Sequence, residues 1–67
     1  MYQANVYSVS RREHTFRNFS TWEKAAGNLA YLMREAGHTD SQAALVALLA
    51  RGEVEYRRYR YWVTEAA

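Results

Sequence analysis

The run Glu53-Val54-Glu55-Tyr56-Arg57-Arg58-Tyr59-Arg60-Tyr61-Trp62-Val63 leaves its backbone little choice. β-Branched and aromatic side chains at this density favour a pleated, half-buried surface over a helix. The alternation breaks once. Val54 and Tyr56 share a face by period two, as do Tyr59, Tyr61 and Val63, but the two sets are out of phase. A β-bulge at Arg57-Arg58 would restore one continuous apolar face and is the expectation, with Glu55, an arginine, Arg60, Trp62 and Thr64 on the opposite face. Guanidinium groups interleaved with aromatic rings also make this the stretch where another molecule is expected to bind.

Upstream, residues 2–10 read as a strand with Ala4, Val6 and Ser8 facing one way and Asn5, Tyr7 and Val9 the other. A polar turn at residues 10–13 leads to a second strand over residues 14–19, with Phe16 on one face and Arg17 and Phe19 on the other. Ser20 and Glu23 have the spacing of a capping box. Trp22, Ala25, Ala26, Leu29, Leu32, Met33 and Ala36 then recur at helical spacing up to Gly37, a left-handed stop. Gly27 sits inside that helix at a cost of about 1 kcal/mol relative to alanine, so it is expected to admit another backbone. A second helix is expected over residues 41–51, capped by Thr39 or Asp40 and closed by Gly52. Residues 43–50 are apolar all round, which implies burial on two sides or a face awaiting a partner. Ala43, Val46, Ala47 and Ala50 are its candidate dimer seam. The order β-β-α-α-β predicts an α+β fold in one domain over residues 1–67: a three-stranded antiparallel sheet with two helices packed on one face. The other face is then solvated or docked.

A chain of 67 residues holds one small core. It has no cysteine, which excludes disulfides and thiolate metal sites. His14 and His38 are far apart without carboxylates spaced to share a metal, so no metal ligands and no cofactor are assigned. The three glycines form no phosphate loop, and Ser10 and Ser20 read as turn and cap residues rather than nucleophiles. Enzyme activity is not expected. No apolar run reaches the roughly 20 residues of a membrane span, and the opening Met-Tyr-Gln-Ala-Asn-Val lacks the basic and apolar regions of a secretory leader. The expected location is the cytoplasm, with no membrane partner.

The net charge is +2, with the positive charge near the two ends of the chain. This pattern suits a small non-enzymatic protein that docks on a larger protein partner through the exposed sheet face. Arg57, Arg58, Arg60 and Trp62 are the candidate anchors, with Arg11, Arg12 and Arg17 at the rim. Proteins of this format encoded by bacteriophages and mobile elements include inhibitors of host enzymes and defence complexes, an analogy of format alone. The alternative is a nucleic-acid-binding regulator that uses the same Arg/Tyr/Trp strand on DNA or RNA. The interleaved glutamates oppose phosphate, and the aromatic signature of RNA-binding sheets is absent. A helix-turn-helix would have to read bases with residues 41–51, which offer Gln42 and little else.

Overall fold

The computed structural model describes residues 1–37 and 40–65. Along the chain run β1 (Tyr2–Ser8), β2 (Glu13–Phe19), α1 (Trp22–Glu35), α2 (Ser41–Arg51), β3 (Glu53–Tyr56) and β4 (Tyr59–Glu65). The fold is α+β, with one antiparallel sheet in the order β2-β1-β4-β3. It has four strands where the sequence predicted three. Arg57 and Arg58 are not a bulge: they are the turn of a tight hairpin, which sets Tyr56 opposite Tyr59 and Val54 opposite Tyr61. A two-residue turn places the residues flanking it on the same face. The phase break therefore marks a reversal of direction, and Val54, Tyr56, Tyr59, Tyr61 and Val63 do share one side. Such turns usually carry glycine or asparagine. Here Arg57 itself takes a φ of 54°, so the usual signal is missing.

By register, Ala4, Val6 and Ser8 of β1 point to that same side. Ala25, Ala26, Leu29, Ala30 and Met33 of α1, with Ala44 and Leu48 of α2, join Ala4, Tyr61 and Val63 in one buried cluster. The buried residues of both helices thus share one cluster with the sheet, while Tyr31, Leu32, Val46 and Leu49 stay exposed. The stripe on α1 is rotated slightly from the predicted one, since Ala30 is buried while Leu32 and Ala36 are exposed.

The helix ends follow from side-chain reach. α1 starts one residue later than a Ser20 capping box requires, and the Thr21 hydroxyl accepts from Lys24 N at 3.2 Å. Ser20 instead meets Lys24 Nζ at 3.4 Å. Asp40 caps α2, its carboxylate accepting from Ala43 N at 3.0 Å. His38 and Thr39, the alternative cap, lie outside the described residues.

Two glycines behave in opposite ways. Gly27 is exposed, and a Cβ there would meet nothing within 4 Å, so no second backbone approaches it. Gly52 closes α2 at φ +79°, and a Cβ would lie 3.0 Å from Cη2 of Trp22. Trp22 is wedged there, edge-on to Tyr2 at 5.7 Å, while the Gly52 carbonyl accepts from Val63 N at 2.8 Å. One indole thus fixes the start of α1 against β1 and against the junction of α2 with β3.

Gly27→Ala is expected to raise stability by about 0.5–1 kcal/mol. Gly52→Ala is expected to cost about 2 kcal/mol or more, from left-handed strain plus the Trp22 collision. Urea unfolding of the two variants checks both signs.

Tyr61 is 2% exposed. Burial, then the neighbouring phenols Tyr59 and Tyr56, push its pKa above the ordinary value. A raised folded pKa means that this contribution is complete below the unfolded value of about 10 and is lost as pH rises through the folded one. Stability measured from pH 8 to 11 should fall at the alkaline end, and Tyr61→Phe should flatten that fall.

Candidate functional site: the uncovered face of the sheet

The opposite face of the sheet carries Gln3, Asn5 and Tyr7 from β1, His14, Phe16 and Asn18 from β2, Arg60, Trp62 and Thr64 from β4, and Glu53 and Glu55 from β3. Neither helix packs on it. Its centre is an asparagine, a residue that strands disfavour. Asn5 lies between Phe16 on one neighbouring strand and Trp62 on the other, and is only 2% exposed.

Asn5 is buried without being left unsatisfied. Its Nδ2 donates to the Gln3 carbonyl at 3.2 Å, the Trp62 carbonyl at 3.3 Å and Thr64 Oγ1 at 3.1 Å. The two carbonyls can only accept, which fixes the amide orientation, so Oδ1 faces His14 Nε2 at 2.9 Å. Oδ1 can only accept, hence Nε2 carries the proton and donates. The imidazole so held lies flat on Trp62, with centroids 5.3 Å apart and planes 15° apart. On its other flank Phe16 sits at 5.9 Å. Together the three rings form a plate whose floor is the Asn5 network, and Phe16 stands 54% exposed at its margin. Beside Trp62, Arg60 Nε pairs with Glu55 Oε1 at 3.4 Å, a solvated contact of little energetic weight.

The structure divides the sequence-predicted residues among three places. Arg60 and Trp62 lie on this face. Arg57 and Arg58 lie in the β3–β4 turn, and Arg11 and Arg12 in the β1–β2 turn. The two turns are neighbours, joined by Val9 N donating to the Arg58 carbonyl at 2.9 Å. All four arginines are exposed, and the Arg57 guanidinium lies 5.3 Å from the Tyr56 ring centroid. Arg12 and Arg57 both take φ 54°, a conformation that disfavours any side chain beyond Cα. Arg17 stands opposite Ala4 and so belongs to the helix side of β2. On α2, Ala43, Val46 and Ala50 are exposed and Ala47 is half-buried.

Asn5, His14 and Phe16 were not among the predicted site residues. Period-two alternation assigns each to the correct side of its own strand. Their assembly around Trp62, however, depends on β1 lying between β2 and β4, which local pattern does not reveal. Among the described residues no group of three or more histidine or carboxylate side chains is placed to hold a metal ion, and no helix is long and apolar enough to cross a membrane. Comparison of the chain with protein-family models, curated proteins and solved structures finds no match.

Asn5→Ala removes the floor of the plate and the partner of His14. It should cost about 1–2 kcal/mol in urea unfolding and weaken the near-UV circular dichroism of the tryptophans as His14 leaves the Trp62 ring.

Proposed function

We propose that this chain is a small non-enzymatic binding protein that docks on a larger protein partner through the uncovered sheet face. The observation that supports this most is the aromatic plate of Trp62, His14 and Phe16 on a fully hydrogen-bonded Asn5. Tryptophan and arginine side by side are the chemistry of interface hot spots. A plate built on strands and locked from below loses little side-chain freedom on binding. The four turn arginines form a positive rim at one end, which favours a partner whose adjoining surface is acidic. A protein of this kind acts by occupying a surface. Inhibition of a host enzyme or defence complex, the mode of small phage and mobile-element proteins, suits that format, and the cytoplasm is the compartment this reading assumes.

The turn arginines also favour a second reading, nucleic acid. The two turns hold four of the nine basic residues and no acidic one, so the rest of the chain carries more acidic than basic groups. In this reading the turns, rather than the strand, bind phosphate, because Tyr56, Tyr59 and Tyr61 face the helices and cannot stack on bases. Four phosphate contacts would make the affinity fall with a log–log salt slope of about −3 to −4.

Fluorescence polarisation with random single- and double-stranded oligonucleotides separates the two. The docking reading expects no binding at physiological salt. It also expects capture of a protein partner that Trp62→Ala and Arg60→Ala each weaken by about 2 kcal/mol or more, with both variants folded. Tight, salt-steep oligonucleotide binding abolished by Arg11→Ala/Arg57→Ala would install the nucleic-acid reading in its place.

A further inference from the structure

The two edges of the sheet differ. β3 is four residues long and carries Glu53 and Glu55, a short acidic edge of the kind that resists pairing. β2 is seven residues long and exposed throughout except at half-buried Phe19. It holds no proline, glycine or lysine, and its register with β1 runs unbroken over its whole length. None of the usual devices that blunt an edge is present except scattered charge, and that charge is of both signs.

The outward groups of β2 follow from alternation. Val63 N donates towards β3, to the Gly52 carbonyl, so Arg60, Trp62 and Thr64 direct their backbone groups to β1. Their opposites Asn5 and Tyr7 face back, which leaves Val6 and Ala4 bonded to Thr15 and Arg17. The N–H and C=O groups of His14, Phe16 and Asn18 therefore point away from the sheet. They form a free row of donors and acceptors.

We infer that two copies of this chain pair antiparallel through β2, about a two-fold axis at Phe16, into one continuous sheet. In that register Phe16 lies opposite the partner's Phe16, and His14 opposite the partner's Asn18. The outward backbone groups of one copy are all satisfied by the other. On the opposite face, Glu13 falls diagonal to the partner's Arg17 and Arg17 diagonal to the partner's Glu13, within reach of such long side chains. Opposite charges meet at two diagonals against a single Arg17–Arg17 diagonal at the axis, and the 54%-exposed Phe16 is covered by its counterpart in the second copy. Displaced registers leave strand residues unpaired and separate the two phenylalanines. α1 touches β2, whose Phe19 packs against the core, but Thr15 and Arg17 are exposed on that side, which leaves room for the second copy. The pairing goes beyond the docking reading and does not depend on it. If both hold, two aromatic plates abut in one face.

Sedimentation equilibrium from about 1 to 500 μM, spanning the affinities expected of a small interface, reads the association. Amide hydrogen exchange reads its location. The wild type is expected to dimerise, with the amides of His14, Phe16 and Asn18 gaining protection as concentration rises while those of Thr15 and Arg17 are protected throughout. Phe16→Glu sets like charges face to face and should weaken the dimer at least about 30-fold. Arg17→Glu should weaken it about 5-fold, and Glu13→Arg/Arg17→Glu should restore it. Arg17 is exposed, so the charge pair tests the interface even if Phe16→Glu fails to fold, and exchange on the wild type needs no variant. A monomer at every concentration overturns the inference. So does a dimer that leaves those three amides unprotected, or one lost in Val46→Glu but kept in Phe16→Glu, which would place the interface on α2. Loss of partner docking with the dimer intact would instead fall on the functional reading alone.

Discussion

Everything in this small protein depends on the pairing of β1 with β4. Each belongs to its own hairpin, β1 with β2 and β4 with β3, and an isolated hairpin is marginal in water. Joined side by side they make a four-stranded sheet with a face wide enough for α1 and α2 to cover. The same pairing brings the two hairpin turns together at one end, through the Val9–Arg58 hydrogen bond, and sets Asn5 against Trp62. The core, the arginine end and the aromatic plate are consequences of one strand contact.

The local elements were legible because their signals are local. Alternation found β1 and β2, helical spacing found α1 although its cap is Thr21 and not Ser20, and Asp40 and Gly52 bounded α2. The failures are instructive. The turn at Arg57 and Arg58 carries no glycine, asparagine or aspartate, so its chemistry was invisible, and the break of phase that betrayed it admits either a bulge or a reversal. Both solutions put the same side chains in the core, which is why the facing was right although the strand count was not. Gly27 looked like a close approach because a mid-helix glycine usually needs a reason. The structure leaves it in open space, and nothing in the fold explains it. The plate was hidden for a different cause. Its members are 48 residues apart at the extreme, His14 to Trp62, and only the strand order assembles them.

Polar burial and backbone strain are placed where apolar alternatives exist. A valine at position 5 would suit a strand better, but it could not hold His14 by a hydrogen bond, and the plate would lose its fixed ring. At the turns, glycine would relieve φ 54° at Arg12 and Arg57. Each such residue costs on the order of 1 kcal/mol, a sizeable share of the stability of a domain this small. The chain tolerates that cost once in each of two neighbouring turns, both times at arginine. The tip of the sheet thus carries charge against a conformational preference.

The central position of β4 also bears on how the chain is made. β4 follows every other element in synthesis and yet lies between two of them in the sheet. Until residues 59–65 emerge from the ribosome, β1 has one free edge, β3 has no neighbour and the helices have only half a floor. The β1–β2 hairpin can pair alone, but the sheet that α1 and α2 cover is complete only when β4 inserts between β1 and β3, a contact between segments distant in sequence.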